Sequence, residues 1–364
     1  MNKYIFLKDA TFISTIYNEQ ESLYDFLQSL FGQSAMVSQI IIVDGGSTDK
    51  TVEILKKFFV EDVPMAAEQK KLKETTNGLK NIFHTRYDLE DPQRTVDVEI
   101  YQKKGANISQ GRNIAFSKAK NNIIFVSDAG CILDKDWLAS LSAQIIGLED
   151  VGAAGGFSKP ITKSFLEDVL SSCIMPELKE IKKEKFMPSS RSLAIRKDVF
   201  MDAGGYPEGM DYGEDMKLNF NIKQKGYKIA FSPEAVVYWR MRSDFLQIFK
   251  QFFRYAKGDA IGGMYPVRHA IRFGALALLA SIILAAVFIH PLIALSLPVL
   301  FVGYIYQPAL RIVHRIQKKQ MRFFYGLALL IPCLFLQMYI DKAKMIGYLY
   351  GLTKRNNKYN ISIY

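Results

Sequence analysis

Carboxylates at the ends of apolar runs carry most of the chemistry this sequence offers. Ile41-Ile42-Val43 closes on Asp44 and passes into Gly45-Gly46-Ser47-Thr48-Asp49-Lys50-Thr51. An Asp that ends a strand, followed by two glycines and a Ser-Thr-Asp helix start, presents its carboxylate where it can hydrogen-bond a ribose or a base. The plainer alternative is that Asp44 closes a tight turn and Asp49 caps a helix. A second run ends in Ser14-Thr15-Ile16-Tyr17-Asn18-Glu19, and a third, Ile123–Val126, in Ser127-Asp128-Ala129-Gly130-Cys131. Just before that third run, Asn107-Ile108-Ser109-Gln110-Gly111-Arg112-Asn113 opens a helix and brings a guanidinium. Glu214 and Asp215 follow Gly213 at another helix start, where acids complement the helix dipole. Neither G-x-G-x-x-G nor G-x-x-x-x-G-K-[ST] occurs, so dinucleotide and P-loop chemistry lose their support. Cys131, Cys173 and Cys333 are scattered, which excludes a disulfide framework and a four-thiolate metal site. Cys131 has no base partner in sequence and reads as a packed thiol. Asp136 reads as a helix cap, and His84, His269, His290 and His314 lack metal-ligand spacing.

Positioning such groups requires strands that end together. Phe12–Ile16, Ile40–Val43, Val96–Tyr101 and Ile123–Val126 read as strands, while 21–31, 50–59 and 111–119 read as helices. That alternation predicts an α/β domain over residues 1–240 with a mostly parallel central sheet and ligands at the strands' carboxyl ends. Residues 61–95 are charged and aperiodic and read as an inserted loop or helix–loop. The formal charge of +11 is uneven: residues 268–364 hold 12 Lys and Arg against the single acid Asp341. A balanced body argues against a nucleic-acid face, and a basic tail suits anionic lipid. Residues 273–306 contain no Asp, Glu, Lys or Arg, and a further uncharged run covers 323–340. From 269 to 310 a helix would reach about 60 Å, twice a bilayer core, so membrane helices are expected near 273–290 and 291–308, turning at His290-Pro291. Arg268 and Arg272 before this hairpin, and Arg311, Arg315, Lys318, Lys319 and Arg322 after it, put both ends in the cytoplasm by the positive-inside rule. The same rule pulls both flanks of 323–340 inward, so this run either spans against the rule, is re-entrant, or lies along the interface. No basic-then-apolar leader is read at the start of the chain.

The Y-N-E strand end, V-D-G-G-S-T-D turn, A-R-N-type helix and Asp-bearing strand end, in that order over residues 10–260, resemble the glycosyltransferase family 2 catalytic domain with its Rossmann-like GT-A fold. The resemblance implies a nucleotide-sugar donor held by Thr15, Tyr17, Glu19, Asp44, Arg112 and Asp128. Tyr17 and Glu19 would frame the base, Asp44 would contact base or ribose, and Arg112 would balance diphosphate charge. It also implies Asp215 as the base that takes the acceptor's proton in an inverting transfer. Gly130 stands where the family's D-x-D has its second Asp, which leaves Asp128 as the protein's one carboxylate for a Mg2+ or Mn2+ ion. Gln251-Phe252-Phe253-Arg254-Tyr255 is similar to the Q-x-x-R-W element of membrane polysaccharide synthases. With Glu214 and Trp239, it is assigned to the acceptor and diphosphate. Residues 241–267 also carry apolar positions at helical spacing and read as amphipathic interface helices.

Together these readings predict a membrane-anchored glycosyltransferase acting at the cytoplasmic face on a lipid-linked or polysaccharide acceptor, with membrane lipid as a further partner. A polyprenyl-phosphate monosaccharide synthase fits the size. A small processive synthase would normally need more membrane helices. Gly130 motivates a degenerate scaffold, against which Asp44, Asp128 and Asp215 count. A transporter lacks its intramembrane charges.

Overall fold

The computed structural model describes residues 5–62, 66–67, 78–88 and 95–355. In chain order it contains β1 (Ile5–Ile16), α1 (Leu23–Phe31), β2 (Ala35–Asp44), α2 (Thr51–Lys57), β3 (Ala66–Ala67), β4 (Leu79–Asp88), β5 (Thr95–Lys103), α3 (Ile108–Lys118) and β6 (Ile123–Val126). There follow β7 (Cys131–Leu133), α4 (Trp137–Ser142), β8 (Val151–Ile161), α5 (Phe165–Ile174), β9 (Leu193–Arg196), α6 (Lys197–Asp202), α7 (Glu214–Gln224) and β10 (Lys228–Arg240). The last elements are α8 (Phe245–Ile261), α9 (Pro266–Phe288), α10 (Leu297–Gln317) and α11 (Phe323–Thr353). The chain divides into two units: Met1–Lys159 with Ile181–Arg240, and Pro160–Glu180 with Met241–Tyr364.

The first unit is built on one sheet in the order β3-β4-β5-β2-β1-β6-β9-β8-β10-β7. Its centre, β5-β2-β1-β6, is parallel, and the register sets Ile16 beside Asp44 and Asp44 beside Gln102, so these strands end together. The expectation of a mostly parallel sheet holds for these four strands only. On one flank β4 pairs antiparallel with β5, and on the other β9 pairs antiparallel with β6 and β8, and β10 with β7. Both faces of the central strands are covered, which explains their nearly unbroken apolar runs. Phe12, Ile40, Ile42 and Phe125 pack on one side with Trp137, and Ile13, Ile41, Val43 and Ile124 on the other with Phe116 and Phe200.

The expected loop at 61–95 contains strand β4. Its burial of Phe83, Thr85 and Tyr87 is a period-two pattern diluted by Lys, Asn, His and Arg on the other face. The parts of that insert at 63–65, 68–77 and 89–94 lie outside the described residues.

A single boundary at residue 240 does not reproduce the observed division, because 160–180 packs with the later helices. Arg311 donates from Nη1 to the carbonyls of Ser172 and Cys173 and pairs with Glu180 through Nε and Nη2, each at 2.9 Å. Arg315 pairs with Glu177 at 2.9 Å. One amphipathic helix, α8, occupies most of the interface segment expected at 241–267, capped by Asp244 accepting from the Gln247 amide. Helix α9 stops at the expected turn, where His290 accepts from the Leu292 amide and a short 3-10 stretch leads into α10. Three helices, Pro266–Phe288, Pro291–Gln317 (including that 3-10 stretch) and Phe323–Thr353, are long and apolar enough to cross a membrane.

Gly156 in β8 offers a direct test of packing in the first unit. A Cβ there would lie 2.0 Å from the Ala235 carbonyl oxygen and 2.2 Å from Ser192 Oγ, which also accepts from the Trp137 indole. Gly156→Ala should therefore destabilise by at least about 1–3 kcal/mol, seen as a lowered unfolding temperature of the full chain in detergent. Gly274→Ala, where nothing lies within 4 Å, should leave that temperature unchanged or raise it.

Candidate functional site

Two of the motifs are locked into one structure at the carboxyl ends of β1 and β2. Asn18, in the left-handed region at φ 54°, accepts from the Thr48 amide at 2.9 Å, and its own amide donates to Ser47 Oγ at 2.9 Å. The Glu19 amide donates to Thr51 Oγ1 and the Gln20 amide to Asp49, while the Lys50 amide donates back to Gln20. Gly46 has φ 96°, and any Cβ there would meet Lys104 Cα at 2.9 Å, so the second glycine of the turn is required.

Asp44 is fully buried. Its oxygens accept from the Gly46 and Ser47 amides, from Ser47 Oγ and from Gln102 Nε2 at 2.8 Å. The expected open carboxylate for ribose or base is thus turned inward to hold the loop. Asp49 accepts from the Thr51 amide, two residues on, and these bonds hold its carboxyl below the usual range against the opposing effect of burial. Tyr17 is 59% exposed, with its ring against Gly45, and stands at the open edge of this turn. Thr15 packs its methyl under α3, where a Cβ on Gly111 would come within 2.9 Å of it.

Helix α3 carries the central ionic arrangement. Asn107 and Gln110 form a reciprocal capping box at its start. One turn on, Arg112 is almost entirely buried, donating from Nη1 to Glu214 Oε1 at 2.6 Å and from Nη2 to Asp128 Oδ1 at 2.7 Å. Its guanidinium lies 5.0 Å from the centroid of the Tyr206 ring. Burial opposes the charge, and Asp128, Tyr206 and Glu214 more than offset it, so Arg112 stays protonated. Both arms of the fork are occupied within the protein, so Arg112 is not the free diphosphate ligand the sequence suggested. Glu214 is likewise sealed away from an acceptor; burial, then the neighbouring Asp215, push its carboxyl up to about 7 despite Arg112.

Asp215 is half-buried at the first turn of α7, after Gly213 at φ 77°, and accepts from the Ser190 amide at 3.4 Å. Asp128 keeps one oxygen out of the Arg112 pair, and its side chain is 30% exposed. Trp239 pairs across the β7–β10 ladder with Cys131, three residues from Asp128, and carries Arg191 over its ring at 3.9 Å. Burial pushes the Cys131 thiol up to about 12, in keeping with a packed thiol. Asp136 sits at the helix-cap position of α4 without a side-chain capping bond, and Asp134 instead accepts from the Tyr238 hydroxyl. Gln251, Arg254 and Tyr255 belong to α8 in the second unit, where Gln251 is buried and donates to the Tyr255 hydroxyl at 3.1 Å.

Several residues at this edge make contacts that their types and spacing do not reveal. Asn113 binds Tyr206 through both its amide ends and donates to Glu208, clamping the Gly-Gly-Tyr-Pro-Glu loop to α3. Tyr206 shares a 2.7 Å hydrogen bond with Ser190. Arg191 stands in an ordinary Ser-rich stretch, and only the β10 fold-back reveals its place beside Trp239.

Residues 11–71 match the family described as glycosyl transferase family 2, and residues 142–336, more than half of the chain, match glycosyl transferase family group 2. This chain belongs to glycosyltransferase family 2. The enzyme is 23% identical over 68% of its length to glycosyltransferase AglE of Haloferax volcanii, and 25% identical over 62% to the O-antigen chain rhamnosyltransferase RfbN of Salmonella typhimurium. To poly-beta-1,6-N-acetyl-D-glucosamine synthase of Staphylococcus aureus it is 22% identical over 69%. These alignments span 71%, 65% and 55% of the relatives' own lengths. Among solved structures, mannosyltransferase PcManGT from Pyrobaculum calidifontis, in complex with GDP-Man and Mn2+, has a similar fold at TM-score 0.50 and 14% identity, over 96% of this chain and 86% of that one. The fold of this glycosyltransferase is therefore GT-A.

In this glycosyltransferase, Arg112→Met should be severely destabilising. Removing one partner of a buried ionic group typically costs about 3–5 kcal/mol, and here it leaves Asp128 and Glu214 facing an apolar gap. Chemical unfolding of the full chain, compared with Asn113→Ala as a clamp variant that keeps the charges, measures it.

Proposed function

We propose that this enzyme transfers a sugar, with inversion, from a nucleotide-sugar donor to a lipid-linked or glycan acceptor at the cytoplasmic face of a membrane. The observation that carries this reading is the ionic bridge through Arg112. It ties the strand end bearing Asp128 to the helix start bearing Asp215, holding one carboxylate on each side of a shared edge. In the proposed step the acceptor hydroxyl oxygen attacks the anomeric carbon while Asp215 takes its proton. A new carbon–oxygen bond forms as the bond to the diphosphate breaks, and the electron pair leaves with the nucleoside diphosphate.

A divalent cation, of the kind bound in the PcManGT complex, fits here as an ion shared with the substrate. No group of three His, Cys, Asp or Glu side chains able to hold a metal occurs among the described residues. Asp128 offers one free oxygen, and the space beside Gly130 is open, with Glu19 Oε2 3.9 Å from where a Cβ would stand. When bound, the ion would be held from the protein side by Asp128 and would neutralise charge on the leaving diphosphate. Arg191, stacked on Trp239, takes the diphosphate role first assigned to Arg112, since a guanidinium fork suits phosphate oxygens. Tyr17, Glu19 and Thr15 are assigned to the nucleotide, and the resemblance of Gln251-Phe252-Phe253-Arg254-Tyr255 to the Q-x-x-R-W element assigns Gln251, Arg254 and Tyr255 to the acceptor.

Membrane placement rests on charge and on contacts inside the second unit. Basic residues flank α9 and α10, and Arg311 and Arg315 at the end of α10 pair with Glu180 and Glu177. Those acids precede every candidate span, so α9 and α10 go out and return. The positive-inside rule then puts their paired ends in the cytoplasm.

Asp215→Asn should leave donor binding within a few-fold and lower transfer by on the order of 10²-fold or more, because losing a general base costs chemistry more than affinity. Radiolabelled nucleotide sugars, membranes and lipid extraction provide the assay, and wild-type transfer by this variant would refute Asp215 as the base. Chelator should abolish transfer, and Mg2+ or Mn2+ should restore it, with Asp128→Asn raising the metal concentration needed for half-activity. Full activity in chelator would remove the ion from the reading.

A further inference from the structure

Helix α11 is apolar and long enough to cross a bilayer, yet at its start, past its middle and near its end it is fastened to elements that precede the first apolar run, in addition to packing on α10, whose Tyr304 donates to Asp341 at 2.5 Å. At its start, the Tyr325 hydroxyl donates to Asp168 at 2.5 Å, and the Tyr325 ring meets Phe165 at 5.9 Å. Two turns on, Cys333 Sγ donates to the Val169 carbonyl of α5, and the Cys173 thiol donates to the Cys333 carbonyl. Past its middle, Tyr339 donates to the Phe245 carbonyl of α8, and Asp341 pairs with Arg272 at 2.9 Å. Near its end, Tyr348 stacks on His269 at 3.9 Å, and Gly347 and Gly351 let α8 approach closely. A Cβ on Gly347 would lie 2.2 Å from the Phe253 carbonyl oxygen, and one on Gly351 2.6 Å from that of Lys257.

The partners at both ends precede the first apolar run. Helix α5, helix α8 and the first two turns of α9 all lie between residues 165 and 272, and no described helix between Ile174 and Pro266 is a candidate span. They therefore share one side of the membrane. From Tyr325 to Tyr348 a helix advances about 35 Å, more than the roughly 30 Å of a bilayer core. A crossing α11 would put Tyr325 and Tyr348 on opposite faces, and α5 and α8 could not both reach it.

The side chains agree with the same placement. Gly326, Leu329, Cys333, Leu336, Ile340, Ala343, Gly347 and Gly351 recur every three or four residues and are buried. The opposite stripe is open and apolar, with Phe324 83%, Ile331 69% and Phe335 64% exposed.

We propose that α11 does not span the membrane but lies in the plane of the lipid–water interface, on the side where α5 and α8 lie, with the stripe through Phe324, Ile331 and Phe335 immersed in the acyl layer. Its partner is the lipid monolayer itself. The pairs fastening α11 to α5, α8 and α9 make it the outer rail of a platform continuous with the two-helix anchor. This inference rests on contacts within the second unit and is independent of the sugar chemistry.

Single cysteines in the full chain test it, scored over the wild-type thiol background with a membrane-impermeant maleimide on sealed vesicles of both orientations. Gln320→Cys before α11 and Lys354→Cys after it should be labelled from the same face, and His290→Cys from the other. Labelling of Lys354→Cys together with His290→Cys, opposite Gln320→Cys, would overturn the proposal. As a second measurement, fluorophores at Ile331→Cys, Phe335→Cys and Leu349→Cys should be quenched alike by a shallow lipid-borne quencher. A depth profile running from shallow through deep to shallow would show a crossing helix and overturn it as well.

Discussion

The catalytic edge depends on one buried cation. Arg112 has nearly no access to water, so its charge survives only because Asp128 and Glu214 each take one arm of its fork at 2.7 and 2.6 Å. Those partners come from two different elements, the turn that follows β6 and the start of α7, and the guanidinium plane admits them in one geometry. Fixing Glu214 fixes the first turn of α7, and with it the direction of Asp215. Tyr206, under the guanidinium and bonded to Ser190, carries the same constraint into the segment whose amide at 190 meets Asp215. A lysine could not serve, since a single ammonium has no planar fork to orient two carboxylates.

A second constraint is steric. Arg112 reaches β6 only because α3 lies close over β1, and it does so because residue 111 has no side chain to collide with Thr15. The capping box of Asn107 and Gln110 starts the helix at the register that turns Arg112 inward and Asn113 toward the 205–208 loop. The short motif Gly111-Arg112-Asn113 therefore combines a close approach, a charge and a clamp in three successive residues, each using a different face of the helix.

Strands β1, β2, β5 and β6 and helices α1, α2 and α3 were legible because their apolar periodicity is strong and each ends on a recognisable turn or cap. Strand β4 was not, since its buried face alternates with charged residues in a segment whose composition resembles a loop. The antiparallel flanks escaped for a different reason: strand direction is set by what each strand pairs with, which no local pattern records. At the site, residue types and edge location could be read, but the direction of each side chain could not. Asp44 and Arg112 both looked like ligands because a carboxylate at a strand end and an arginine in a helix's first turn are chemically able to bind a nucleotide. Both are instead satisfied internally, Asp44 by amides two and three residues on and by Gln102 from the neighbouring strand, Arg112 by Glu214, 102 residues away. Arg191 shows the converse, an unremarkable arginine that the fold carries beside Trp239.

The division of the chain follows from the same rule about buried charge. Arg311 and Arg315 stand at the end of a helix that is otherwise apolar, with side chains only 12% exposed. Left without counter-charges there, they would cost several kcal/mol each, and water or lipid phosphate would have to enter to meet them. The excursion at 160–180 supplies Glu177 and Glu180 instead, along with the carbonyls at the end of α5. Against the upward push of burial, Arg311 holds the Glu180 carboxyl below its ordinary range, so the pair stays ionised. A segment that leaves the sheet after β8 and returns before β9 is thus bound to the later helices by charge rather than by chain proximity. For that reason the boundary between the two units cannot be a single point in the sequence.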